Sequence, residues 1–296
     1  MRFHNDPGHY VAHYTRSETA VDHILKNRTL RLGPFIATND PRETKTWHFA
    51  VGRSGSHENS VTSEQLESLS KRNVEFDRIL KHGCKILCVS QDAENAFKLD
   101  ISDRAYGKPR MWAQYAGNHS GVCLLFDKQT LHETLQSRLG HQKLFCGPVE
   151  YGNFHQVGSS GWMEHMNAFH LSADDILTND LENVLRNHRD KHHKVLFFRK
   201  NEDWQQEVEY RWIIRGDTND PEFIPIENAL RAILLGLDFP IDRLAEIHEY
   251  CKDTDTYLSR IMWINGMPGV HWFAPNQLSA PEYQRALEMF ALLPPG

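Results

Sequence analysis

The stretch "DWQQEVEYRWIIRG", residues 203–216, is the most informative part of this chain about its fold, because charged and apolar residues alternate in it. In an extended strand, alternate side chains share a face. The apolar set is expected to face a hydrophobic core and comprises Val208, Tyr210, Trp212 and Ile214. The charged set is expected to lie together on the other face and comprises Glu207, Glu209 and Arg211. The stretch therefore predicts a strand that enters the core with two carboxylates and a guanidinium side by side.

Two interpretations of this charged face remain open. On a solvent-exposed face the pattern has little meaning, because surface ion pairs contribute only about 0–1 kcal/mol. In a cleft, one glutamate can stabilise a cationic transition state such as an oxocarbenium ion, while the other holds or activates an acceptor. Glycoside hydrolases also use paired carboxylates, but they place them on either side of the bond that breaks. The spacing alone does not choose between these interpretations.

The composition is that of an ordinary globular protein, with 296 residues of which 40% are hydrophobic and 24% charged. The net charge of −6 provides no global basic field, so tight non-specific binding to a nucleic-acid backbone is not indicated. Five scattered cysteines without a CxxC motif argue against a disulfide framework. The N-terminus lacks the features of a signal peptide, and no apolar run approaches the roughly 20 residues that span a membrane. We therefore expect a cytoplasmic protein without membrane association.

Predicted strands and helices are mixed along the chain without strict β–α–β alternation. Long helices are predicted over about 63–81 and 172–200, and a final helix in "APEYQRALEMF". Thr15 and Glu18 have the spacing of a capping box, and Asn39 and Asp40 are natural turn and cap residues before Pro41. The polar segment "GRSGSHENS", residues 52–60, predicts a mobile loop. This order predicts an α+β fold with a mixed, mostly antiparallel sheet core and flanking helices, in a single domain over residues 1–296.

Several segments, in this order, resemble the bacterial family known as domain of unknown function 2971. They are "HYTRSETAVDHILKNRTLRLG", "TNDPRE", "KILCVSQ", "RMWAQYAGNHSGVCLLFD", "DWQQEVEYRWII" and "LRAILLG". The resemblance extends over roughly residues 11–236, which leaves about 237–296 as a C-terminal extension. The most specific parts are "NDPRE", the "MWAQYA" segment with the strand that follows it, and "W..E.EYR".

A fainter resemblance is to the ADP-ribosyltransferase fold, whose members carry a histidine on the first strand, a tyrosine on a middle element and an ExE motif on a late strand. His13, Tyr115 and Glu207-Val-Glu209 occupy the corresponding places. The resemblance implies NAD as substrate. His13 would hold a ribose hydroxyl, Tyr115 would stack on nicotinamide, Glu209 would stabilise the ribosyl cation and Glu207 would orient the acceptor. The serine-rich middle strand of one transferase class is absent, with only Ser90 in "CVSQ".

Further candidate contacts to NAD surround these residues. They are Tyr14, Thr15, Asn39, Trp112 and Arg211. Trp112 and Tyr115 are three residues apart on a predicted helix and share a face, which suits either a core or a stacking wall. Arg211 is expected to pair with Glu209 or Glu43, with a possible phosphate contact. There is no GxGxxG, P-loop, GxSxG or clustered metal-ligand motif.

The sequence thus predicts an NAD-dependent ADP-ribosyltransferase-like enzyme that cleaves the nicotinamide–ribose bond. The acceptor, whether water, protein or nucleic acid, is not indicated, and neither is the oligomeric state. The alternative is a binding module without catalysis that senses a nucleotide, as part of a bacterial defence or toxin system.

Overall fold

A computed structural model describes residues 3, 6–53, 61–94, 101–139, 143–252, 254–270, 272, 281–282 and 285. The strands are β1 (Tyr10–Thr15), β2 (Thr29–Pro34), β3 (Ala50–Gly52), β4 (Cys84–Gln91), β5 (Val122–Asp127), β6 (Lys143–Pro148), β7 (Glu150–Tyr151), β8 (His170–Ser172), β9 (Arg199–Lys200), β10 (Glu209–Arg215), β11 (Glu222–Pro225), β12 (Leu230–Leu235), β13 (Tyr257–Ile264) and β14 (Met267–Val270).

The helices surround these strands. The α-helices are α1 (Pro41–Thr44), α2 (Ser63–Ser70), α3 (Asn73–Lys81), α4 (Pro109–Tyr115), α5 (Lys128–Leu139), α6 (Trp162–Ala168), α7 (Ala173–Thr178), α8 (Leu181–Phe197) and α9 (Leu244–Lys252). A π-helix spans Thr19–Leu25, and 3-10 helices span Phe35–Ala37, Glu202–Glu207 and Ile241–Arg243. No helix in the described part of the chain is long and apolar enough to cross a membrane.

Ten strands form one sheet in the order β11-β2-β4-β1-β5-β12-β13-β14, with β10 paired to β4 and β6 paired to β10. Within this sheet β12 and β13 are parallel and the other described pairs are antiparallel. Two small parallel ribbons, β3–β8 and β7–β9, lie outside it. The predicted α+β class with a mostly antiparallel sheet and flanking helices is confirmed.

Strand β10 lies inside the protein on both faces. Trp212 and Ile214 pack into one hydrophobic core with residues of the π-helix, as their alternation predicts. Ile213 packs into a second core against α3 and α8. The charged residues Glu209 and Arg211 share the face of Ile213 and are 4% and 1% exposed. The charged face of this strand is therefore buried, which rules out a simple solvent-exposed side.

The sheet splits along one edge of β4. Strand β1 pairs with β4 at Gln91 and Ser90, whereas β2 pairs with it at Ile86 and Lys85. Between them, residues 87–89 pair with β10 on the other side, and the described strands supply no partner at the split edge. Neither β1 nor β2 pairs with β4 over residues 87–89, so the sheet has a gap between these two strands.

Several local predictions are wrong in detail. The helix predicted over 63–81 is two helices, α2 and α3, which meet at Lys71 and Arg72. The helix predicted over 172–200 ends at Thr178 and restarts at Leu181, where the Asp180 side chain accepts a hydrogen bond from the Asn183 amide. Thr15 ends β1 instead of capping a helix, and the π-helix begins at Thr19 without a side-chain cap. The predicted final helix and the loop at 52–60 lie largely outside the described residues.

A close backbone approach at the far end of β10 depends on glycine. Gly83 has φ +71°, and a Cβ added there would lie 2.0 Å from the carbonyl oxygen of Gly216. Gly266 has a similar φ of +79°, but a Cβ there would meet nothing within 4 Å. We expect Gly83→Ala to lower the free energy of unfolding by about 1–3 kcal/mol more than Gly266→Ala. Both alanines would be strained by the left-handed backbone conformation, but only the alanine at position 83 would also collide with neighbouring backbone. Urea unfolding of both variants measures this difference, and equal losses would contradict the close approach.

Candidate functional site

The two glutamates of the ExE motif reach the same place by different routes. Glu207 ends the 3-10 helix Glu202–Glu207, and Glu209 begins β10. Between them Val208 adopts φ +43°, a left-handed conformation that is costly for a β-branched residue. The prediction that both glutamates lie on one strand is therefore wrong. The turn at Val208 nevertheless brings both side chains to one buried site.

Lys200 joins the two carboxylates. Its Nζ lies 2.8 Å from Glu207 Oε2 and 2.9 Å from Glu209 Oε2. Burial alone would lower the pKa of Lys200, but the charges of Glu209 and Glu207 outweigh that cost and raise it above its usual range. The ammonium is thus held charged between two carboxylates that would otherwise repel each other.

Arg211 joins Glu209 to a third carboxylate. Its Nε and Nη2 donate to Glu209 Oε1 and Oε2 at 2.6 and 3.0 Å, a bidentate pair, while Nη1 donates to the Phe197 carbonyl at 2.6 Å. Nη2 also lies 2.5 Å from Glu43 Oε1, a charge contact that is not aligned as a hydrogen bond. The expected pairing of Arg211 is confirmed for both glutamates. Its three nitrogens are already occupied by protein groups.

The buried charges shift the two carboxyl groups in opposite directions. Burial by itself would raise the pKa of Glu209, but the charges of Arg211 and Lys200 outweigh it and hold the pKa at about 2. For Glu43 burial prevails, so its pKa is raised despite the neighbouring Arg211. Glu209 is therefore ionised at neutral pH, whereas Glu43 has the greater tendency to hold a proton.

Tyr115 and Asn39 continue the network toward solvent. The Tyr115 hydroxyl donates to Glu207 Oε1 at 2.5 Å and accepts from Asn39 Nδ2 at 3.0 Å. Burial and the hydrogen bond to Glu207 raise the pKa of Tyr115, so its hydroxyl stays protonated and remains a donor. Asp40 caps α1 by accepting from the Arg42 amide, which positions the preceding Asn39. The predicted turn at Asn39–Asp40 thus also supplies a residue of the site.

His13 lies in the gap of the sheet. Ala12 pairs with Ser90 and Ser90 pairs with Glu209, so these three residues share one face, and His13 belongs to the opposite face. Its Nδ1 lies 3.3 Å from the Cys88 carbonyl oxygen across the split edge. Burial lowers the pKa of His13, against a smaller opposing effect of that hydrogen bond. The imidazole is therefore neutral at pH 7 and spans the gap rather than facing Glu209 directly.

These residues line a cavity of about 360 Å³, within the range typical of ligand pockets. The predicted site residues in its wall are His13, Tyr14, Asn39, Tyr115, Glu207, Glu209 and Arg211. A second cavity of about 640 Å³ lies between β1, β2 and the π-helix. Both cavities share His13, Ala37, Thr38 and Cys88, so they meet at the gap. We refer to them as the glutamate cavity and the outer cavity.

Two predicted ligand contacts do not line the glutamate cavity. Trp112 is fully buried, donates to the Tyr106 carbonyl at 2.9 Å and packs edge-on against Tyr14. Thr15 is also buried at the end of β1. Of the Trp112–Tyr115 pair only Tyr115 lines the cavity, because the Trp112 side chain is fully buried in a hydrophobic core. Tyr14 remains in the wall, although its hydroxyl donates to the Ala105 carbonyl.

Lys200 is the central residue that sequence reasoning missed. It lies on the two-residue strand β9, just after α8, where the chain pattern predicts the end of a long helix. The one usable signal is that two glutamates so close together need a cation besides Arg211 if they are buried. Tyr151, whose hydroxyl accepts from the Glu209 amide at 2.8 Å, is a second addition.

A larger groove lies along α7 and α8 and is lined mainly by exposed polar residues. It measures about 810 Å³ along α7 and α8, and its asparagines 179, 183 and 187 are exposed. In the described part of the chain, no group of three or more His, Cys, Asp or Glu side chains is arranged to hold a metal ion. The buried and mutually shifted charges of the glutamate cavity make it the stronger candidate for chemistry.

The comparison with known families confirms the resemblance drawn from the sequence. Residues 111–212 match the family described as protein of unknown function DUF2971. The matched segment contains Tyr115, Lys200, Glu207, Glu209 and Arg211, whereas His13 lies outside it. No curated protein and no solved structure matches the chain. The matched segment thus supplies most of the charged network, and the N-terminal strand β1 supplies the histidine at the gap.

Proposed function

We propose that the glutamate cavity binds NAD and cleaves its nicotinamide–ribose bond, with transfer of ADP-ribose to water or to a macromolecular acceptor. The observation that carries this proposal is the meeting of His13, Tyr115, Glu207 and Glu209 in one cavity, although the first and last of them are 196 positions apart in the chain. These are the residue types that the ADP-ribosyltransferase resemblance requires. An ADP-ribosyltransferase-like fold is part of the same proposal.

The size of the cavities suits a ligand with two parts. The glutamate cavity has room for a nicotinamide riboside, and the outer cavity continues through the gap at His13. The neutral His13 imidazole uses Nδ1 for the hydrogen bond with the Cys88 carbonyl. Its Nε2 would bind a ribose hydroxyl. A dinucleotide would thus pass the imidazole where the two cavities meet.

The chemistry requires stabilisation of positive charge. When the bond between ribose C1′ and the nicotinamide nitrogen breaks, its electron pair leaves with the ring, which becomes neutral nicotinamide. The ribosyl group becomes an oxocarbenium ion, and the acceptor oxygen then bonds to C1′ and releases a proton. Glu207 and Glu209 supply negative charge from buried positions, where electrostatic stabilisation is strongest.

The two glutamates differ in how far their negative charge is compensated by ion pairs. Both oxygens of Glu209 contact Arg211, and one also contacts Lys200, so its charge is largely compensated. Glu207 contacts Lys200 through one oxygen and the neutral Tyr115 hydroxyl through the other. We therefore assign to Glu207 a share in stabilising the cation as well as in orienting the acceptor. Glu209 stabilises the cation and also keeps Lys200 in place.

Nicotinamide release from NAD by the purified protein tests this proposal. We expect turnover by the wild type and at least about tenfold slower release by Glu207→Gln and by Glu209→Gln, because each change removes a negative charge from the site. The matched control is Glu202→Gln, which removes an exposed carboxylate from the same 3-10 helix. A loss in the control equal to that in Glu207→Gln would contradict the assignment.

The compensated charges also favour one alternative, a binding module without turnover. Each carboxylate of the network already has a cationic partner, which leaves less negative charge to stabilise a developing cation. In that case calorimetry would show NAD binding by the wild type, Glu209→Gln would retain most of it, and neither protein would release nicotinamide. Absence of both binding and release would overturn both functions.

A further inference from the structure

A small cavity lined by arginines lies at the opposite end of β10 from the glutamates. It measures about 170 Å³ and lies between α3, α8 and the turn after β10. Its basic residues are Arg78, His82, Arg186, Arg189 and Arg215. Arg215 is six residues beyond Glu209, which is about 20 Å along a strand, so this arginine cavity is separate from the proposed NAD site.

One of these arginines is buried without full hydrogen bonding. Arg189 is 2% exposed, and its Nη1 donates to the Leu80 carbonyl at 3.1 Å. Its Nε has no hydrogen-bond partner among the described residues, since the Asp190 carboxylate lies 3.9 Å away. A buried guanidinium nitrogen without an acceptor is costly. The side chain that bears it lines the cavity.

The remaining charges only partly offset the arginines. Arg186 contacts Glu182 at 3.2 Å, and Arg215 contacts Asp190 at 3.1 Å. The cavity wall thus contains four arginines but only two carboxylates, Glu182 and Asp217, and even with Asp190 behind it an excess of positive charge remains. Burial, together with the neighbouring charge of Arg215, lowers the pKa of Arg189. An anion in the cavity would relieve both the missing acceptor and the excess charge.

We propose that the arginine cavity binds a tetrahedral oxyanion, namely phosphate or the terminal phosphate of a small phosphomonoester. Guanidinium groups present forked donors that match the oxygens of a phosphate group, and several of them converge here from α3, α8 and β10. The volume fits one phosphate group rather than an extended ligand. Binding would tie together α3, α8 and the end of β10.

Calorimetry and thermal unfolding of the full chain with inorganic phosphate, at an ionic strength balanced by sodium chloride, test this site. Wild type is expected to bind phosphate and to unfold at a higher temperature in its presence. Arg186→Gln should bind about tenfold more weakly, because it removes an exposed guanidinium from the cavity wall without disturbing the core. The matched control Arg138→Gln removes an exposed arginine from α5 and should bind within about twofold of wild type.

A second variant and a second ligand complete the experiment. Arg189→Lys keeps the positive charge but loses the paired N–H donors of the guanidinium group, and it should also weaken phosphate binding. AMP distinguishes the sources of the anion. Displacement of phosphate by AMP that depends on Arg186 indicates a phosphomonoester, and failure of AMP to displace it indicates the free anion. Phosphate effects no larger than those of chloride, or equal losses in Arg186→Gln and Arg138→Gln, would overturn the site.

Discussion

Arg211→Met is expected to lower the free energy of unfolding by about 3–5 kcal/mol, the usual cost of removing one partner from a buried ion pair. Arg211 is 1% exposed and neutralises both Glu209 and Glu43, which are themselves 4% and 2% exposed. Its loss leaves Glu43 buried without its cation and leaves the Phe197 carbonyl without its donor. Urea unfolding at pH 7 measures this loss, which is a large part of the stability of a typical domain.

The matched control for this change lies on the same strand. Arg215 pairs with Asp190, but its side chain is 31% exposed, so Arg215→Met should cost no more than about 1 kcal/mol. In the double variant Glu43→Gln with Arg211→Met, the total loss should be smaller than the sum of the single losses, because no unpaired Glu43 carboxylate remains. A cost for Arg211→Met close to that for Arg215→Met would refute the buried network as described.

The stability that Glu209 contributes should disappear in acid. Its pKa is lowered from 4.5 to about 2 by Arg211 and Lys200, which outweigh burial. Because the folded state holds the proton less tightly than the unfolded chain, this contribution is complete above about pH 5 and is lost as the pH falls toward 2. At 1.36 kcal/mol per pKa unit the loss is about 3 kcal/mol.

Comparison of wild type with Glu209→Gln isolates this contribution. The glutamine variant is expected to be less stable at pH 7, but it has no carboxyl group to titrate at this position. The difference between the two unfolding free energies should therefore shrink by about 3 kcal/mol between pH 5 and pH 2. Glu202→Gln should follow the wild-type profile. If wild type and Glu209→Gln lose stability in parallel, Glu209 does not have the lowered pKa that its ion pairs imply.

The predictions that succeeded rest on local patterns. Alternation along residues 210–214 predicted the strand and its core-facing residues, because strand periodicity is a property of neighbouring residues. Val208, predicted to face the core with them, lies instead in the turn before β10. The pairing of Arg211 with Glu209 and Glu43 also followed, since a buried guanidinium needs carboxylate partners. The failures concern breaks within otherwise regular patterns, such as the helix ends at Ser70 and Thr178.

The sequence by itself determined the α+β class, strand β10 and most of the residue types that line the glutamate cavity. Only the tertiary structure decided that Glu207 joins Glu209 across a left-handed turn, that Lys200 bridges them, and that His13 reaches the site through a split in the sheet. The physical reason is that periodicity reports which face a side chain takes within one element. The contacts among these charges depend instead on how distant elements pack, since burial requires each carboxylate to find a cation wherever the fold provides one.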